Sequence, residues 1–207
     1  MNAKTRKPIA IVSIISFVAG AVLIIAGGVV WGMITGQLKD EHITVAAVTD
    51  ENPGALAGKP VAGPFTAFAQ ANAINEHALK ASGGATYAEL GATVTELKTA
   101  AKAADTSANA DIAAAVDKMD IAKLTELGAG DEVIAKTSEA AAAQGQRNTV
   151  MNGSFLRASL FSSVIAYGVS ALVMGLGVMF LVIGFAFNRL AAAPVAVVEG
   201  KVAEPTV

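Results

Sequence analysis

"ASLFSSVIAYGVSALVMGLGVMFLVIGFAF", Ala158 to Phe187, runs for thirty residues without Asp, Glu, Lys, Arg or His. A helix of about 20 apolar residues crosses the hydrocarbon core of a bilayer, so this run is long enough to span one. A second uncharged run, Ile9 to Ile34, lies near the N-terminus. Both read as spanning helices, which makes the chain an all-α membrane protein with two transmembrane helices. The composition agrees: 54% of the 207 residues are hydrophobic and 15% charged, an apolar excess over an average soluble domain.

The first run has some marks of a secretory signal, with Lys4, Arg6 and Lys7 ahead of it and "AGA" at Ala19–Ala21. A signal core is about 7 to 15 residues long, whereas this run continues through "VLIIAGGVVWGMI", so an uncleaved anchor is expected. The same three basic residues predict orientation. They precede the span with no acid among them, whereas Lys39, Asp40 and Glu41 follow it, which keeps the N-terminus in the cytoplasm. Two spans then return the C-terminus, with Arg189, to that side of the plasma membrane.

The expected organisation is a basic cytoplasmic N-terminus over 1–8, spans over 9–34 and 158–187, an extracytoplasmic domain over 35–157 and a disordered cytoplasmic tail over 188–207. The domain carries ten basic and fifteen acidic residues, net −5, and is long enough that its charges hardly affect orientation. Arg157 therefore does not set the topology. It reads as a long cation at a helix end whose side chain snorkels to the headgroups, with a partner or lipid phosphate as the alternative contact. Trp31, Phe155, Arg157, Phe161 and Arg189 are the candidate membrane-interface residues.

Small residues recur along both spans. Ser13, Gly20 and Gly27 are seven apart, as are Ser163, Ser170, Gly177 and Gly184. A seven-residue period stays on one face of a helix in a left-handed supercoil, and close approach across small residues drives helix association in lipid. An antiparallel hairpin with the two stripes facing each other is the simplest account. Gly28, Gly32 and Gly36 form a second ladder on another face of the first span, a candidate contact for an oligomer or a neighbouring protein.

In the outer domain, "HITVAAV" (His42–Val48) predicts a short strand, within a strand-and-loop stretch over 42–63 punctuated by Gly and Pro. Helices are expected over about 64–82, 86–104, 109–127 and 131–145, the last two ended by the glycines of "GAG" and by Gly145. The first has Phe65, Phe68, Ala71, Ile74 or Asn75, and Ala78 or Leu79 as its apolar stripe. The others offer thin stripes: Leu90, Val94, Leu97 and Ala101, then Ile112, Val116, Met119 and Leu127. Alanine dominates from Thr86 to Gly145, so a partly ordered linker is the alternative to a packed bundle. The chain has no cysteine, hence no disulfide and no thiolate metal site.

Chemistry-bearing patterns are scarce. His42 and His77 are 35 residues apart, without HxH, HxD or HExxH spacing, and read as solvated surface residues. No phosphate-binding glycine loop or GxSxG elbow occurs. "NGS" at Asn152–Ser154 fits an N-glycosylation sequon, a pattern short enough to arise by chance. The acidic domain would repel nucleic acid, and uncharged span interiors do not suit a solitary transporter or channel.

Three stretches, "WGMITGQLKDEHITV", "GPFTAFAQANAINEHAL" with "TYAEL", and "TVMNGSFLRASLFSSVIAYGVSALVMGLGVMF", resemble a family of small actinobacterial membrane proteins with two spans and an outward loop. The resemblance covers both spans and their flanks, and Gly91 to about Gln144 looks like an insertion relative to shorter members. Members carry the name aromatic-ring-opening dioxygenase, which implies a nonhaem iron enzyme. Such a centre uses two His and a carboxylate, or two His and two Tyr. The second set would require all of His42, His77, Tyr87 and Tyr167, the last inside a span.

The function expected from the residues is therefore noncatalytic and without a cofactor. The chain is expected to sit in the lipid bilayer and to contact a membrane or envelope protein or its own copies through the outward domain, as an accessory subunit of a larger complex. The iron-dependent dioxygenase is the alternative.

Overall fold

The computed structural model describes residues 3–192, so most of the expected disordered tail lies outside the described residues. Six helices appear among them: α1 (Ala3–Asp40), α2 (Pro64–Ala81), α3 (Tyr87–Ala104), α4 (Ala110–Lys118), α5 (Ile121–Glu126) and α6 (Asp131–Ala192). Both α1 and α6 contain a stretch long and apolar enough to cross a membrane. The described residues divide into two compact units. One comprises α1 up to Gln37 and α6 from Ile165 onward; the other is Leu38–Val164.

In the first unit the burial pattern is the reverse of a water-soluble helix pair. Ser13, Ser16, Gly20, Gly27, Ser170, Gly177 and Gly184 are buried, whereas Ile11, Ile14, Ile15, Val18, Val22, Ile25, Ile165, Val169 and Leu172 are each more than half exposed. Large apolar side chains outside and small ones inside are compatible with a lipid surrounding.

The second unit is helical as expected, with four corrections. The predicted strand at 42–48 does not form. Only an isolated bridge, Thr44 to Pro60, joins two extended segments, because a single short pair without further strands lacks a sheet to extend. The segment instead forms a strap, with Val61 N–H donating to Ile43 O (2.8 Å) and Val45 N–H to Lys59 O (2.8 Å), and Val45 and Val61 buried beneath it.

The helix expected over 109–127 is broken in two. Met119 adopts a left-handed conformation (φ 55°) at the end of α4, and the Asp120 carboxylate then caps α5 by accepting from Lys123 N–H. The turn lets α4 and α5 fold against each other, and Leu124, with no exposure, joins Ala101, Ile112, Ala115, Val116 and Val133 in the core.

Nor does Gly145 end a helix. It stays inside α6, which continues without a break through 152–159 to Ala192. A glycine costs about 1 kcal/mol relative to alanine inside a helix, too little to stop one flanked by helix formers and lacking a proline.

The fourth correction concerns α2. Its buried residues are Ala67, Gln70, Ala71 and Ala73, while Phe65 and Phe68 are 80% and 48% exposed. Gln70 explains the rotation: its Oε1 accepts from Ala46 N–H at 2.7 Å, which binds this face to the strap.

Candidate functional site

The seven-residue stripes meet within the first unit. Ser13 Oγ donates to Gly184 O at 2.7 Å. A Cβ added at Gly20 would lie 2.7 Å from Gly177 O, and one added at Gly27 would lie 2.9 Å from Ser170 O. Contact positions rise along α1 as they fall along α6. At each step the absence of a side chain is what permits the backbone approach, so Gly20, Gly27 and Gly177 are required as glycine here. Ser170 is buried and bonds back to Ala166 O, which satisfies its hydroxyl; Ser163 belongs to the second unit, where its hydroxyl bonds back to Ser159 O at 3.4 Å.

Gly28, Gly32 and Gly36 behave differently. A Cβ at any of the three would meet nothing within 4 Å. The two small-residue series on α1 are therefore distinct: one is consumed by α6 and the other opens outward.

A further cluster in this unit centres on Tyr167, which the sequence marks only as a residue of the second span. Tyr167 is 1% exposed, its hydroxyl is 2.7 Å from Thr35 Oγ1, and the Trp31 ring meets it edge-on with centroids 4.6 Å apart. Trp31, read as an interface residue, thus also packs on a buried tyrosine. The available signal was that Tyr167 sits four residues after Ser163 and three before Ser170, on the stripe itself.

In the second unit Arg157 is held by protein. Its Nη1 donates to Asn75 Oδ1 on α2 at 3.0 Å, and its guanidinium lies 5.2 Å from the Phe161 ring centroid. Phe161 also meets Phe68 edge-on at 5.7 Å. Arg147 repeats the theme, stacked 4.0 Å over the Tyr87 ring with its Nε 3.2 Å from where a Gly91 Cβ would stand. Phe155 is 66% exposed. In the first unit, Arg189 lies 5.1 Å from the Phe185 ring.

His77 Nε2 is 2.8 Å from Ala47 O, so this histidine fastens the strap to α2. His42 occupies a left-handed turn after α1 (φ 51°). Among the described residues no three His, Asp or Glu side chains are grouped to hold a metal ion. A cleft of about 420 Å³ lies between the strap, α2 and α6, lined by Leu38, Ile43, Gln70, Ile74, Leu156 and Leu160. Its wall is apolar apart from Gln70, already engaged, and from Glu41 and Ser159.

The perturbed carboxylates serve local structure. The Thr86 backbone and hydroxyl bonds hold Glu89 below its usual range in a capping box at the start of α3. Hydrogen bonds from Ser107 do the same for Asp105. Lys102, with Nζ 2.7 Å from both carboxylate oxygens, lowers Asp117. No family model, curated protein or solved structure matches this chain.

Proposed function

We propose that the chain is a noncatalytic, two-span protein of the plasma membrane whose outward helical domain and glycine face contact other proteins of the cell envelope, as an accessory subunit of a larger membrane complex. In this reading α1 and the apolar part of α6 form an antiparallel hairpin, both termini are cytoplasmic and residues 35–157 lie outside. The basic Lys4, Arg6 and Lys7 support that orientation, and the opposed order of the Ser13–Gly184 and Gly20–Gly177 contacts supports the hairpin.

The observation that carries the partner reading is the contrast between the two glycine series. The hairpin seam uses Gly20 and Gly27, and the ladder at Gly28, Gly32 and Gly36 is left with open space before it. Backbone exposed by three glycines one turn apart suits the close approach of another helix more than it suits lipid chains.

A photoreactive residue at Gly32, irradiated in cells before purification in mild detergent, tests this. A discrete adduct with one protein, or with a second copy, is expected; adducts with lipid alone would contradict it. Stoichiometric iron that vanishes in His42→Ala/His77→Ala would instead make the protein an enzyme.

A further inference from the structure

We propose that the N-terminal half of α2 is seated in the outer interface of the phospholipid bilayer, with Phe65 and Phe68 as its anchors. This rests on the reading of Ala158–Phe187 as a span. The direction of α2 follows from three contacts with α6. Phe68 meets Phe161, Asn75 meets Arg157, and a Cβ at Gly153 would lie 3.0 Å from Ala78. Positions rise on α2 as they fall on α6, so the start of α2 lies beside Phe161 and its later turns lie beside Arg157 and Gly153. Phe161 is three residues inside the uncharged run. Phe68 is therefore level with the first turn of the span, and Phe65, one turn earlier, lies about 4.5 Å further along the same direction.

Two further observations fit a lipid occupant. Pro64–Asn75 contains no ionisable side chain, whereas Glu76, His77 and Lys80 all fall in the half that points away. At the start of α2 Pro64 has no N–H, and Thr66 Oγ1 accepts from both Ala62 N–H (3.1 Å) and Gly63 N–H (3.2 Å), which pairs the two donors ahead of the helix. Unsatisfied donors are costly at such depth, and phenylalanines on the apolar face of an interfacial helix bury at the boundary between headgroups and acyl chains.

The test uses the full chain in phosphatidylcholine–phosphatidylglycerol vesicles containing brominated lipids, which quench tryptophan at known depth. Trp31 is the sole tryptophan and reports the span itself. In Trp31→Phe/Phe65→Trp, emission should shift to the blue and be quenched most by shallow bromines. Quenching of Trp31 with unquenched, red-shifted emission from position 65 would overturn the proposal and leave the span intact. Quenching of neither would defeat the span reading and this proposal with it. A spin label on Phe65→Cys, in a chain otherwise free of cysteine, gives an independent readout. Greater accessibility to oxygen than to a water-soluble nickel chelate is expected, and the reverse order would overturn the proposal.

Discussion

Gly177 and Gly28 differ only in what faces them, which makes them a matched pair. A Cβ at Gly177 would stand 2.8 Å from Gly20 O and 2.7 Å from Ile24 Cγ1, whereas one at Gly28 meets nothing. Gly177→Val should lower stability in detergent by about 1–3 kcal/mol, the usual cost of overpacking. Gly28→Val should leave the melt within about 0.5 kcal/mol of the parent, as substitutions away from packed contacts do. Equal effects would mean that the seam does not pack through these residues. Arg157 makes a second residue-scale prediction. Removing its charged hydrogen bond to Asn75 in Arg157→Ala should cost the helical domain about 1.5–3 kcal/mol while membrane insertion is retained. A loss of insertion would show that this arginine does act in topology.

At the scale of elements, the bundle of α3, α4 and α5 depends on few large side chains, so its polar contacts are measurable. Lys102 holds Asp117 below its ordinary value of 3.8. A depressed folded-state pKa means that the unfolded chain binds the proton more readily, so the contribution is complete above 3.8 and is lost as pH falls through the lowered value. Circular dichroism melts should therefore show Lys102→Met removing part of the acid sensitivity of the domain while lowering stability slightly at neutral pH. An unchanged pH profile would show that the pair contributes nothing.

These elements also show how far the sequence could be read. Periodicity placed α2 and α3 within a residue or two, because each has a strong start: Pro64 for α2 and the Thr86–Glu89 capping box for α3. The small-residue stripes were legible for the same reason, since a seven-residue period is a local property of one helix. What failed was set by distant contacts. The left-handed break at Met119 follows from packing Leu124 into the core, and the outward turn of Phe65 and Phe68 follows from Gln70 binding the strap. Gly145 misled because a glycine ends a helix only where the chain turns into the left-handed region. The Trp31–Tyr167–Thr35 cluster joins residues more than 130 positions apart.

For the whole molecule the decisive property is the side of the membrane on which each part lies. The absence of cysteine allows single-cysteine labelling without background. Ser107, in the exposed loop between α3 and α4, and Lys7, exposed near the start of α1, are suitable positions. In intact cells a membrane-impermeant maleimide should label Ser107→Cys and leave Lys7→Cys unlabelled until the membrane is permeabilised. Labelling of Lys7→Cys in intact cells with Ser107→Cys protected would contradict the two-span, outward-domain account.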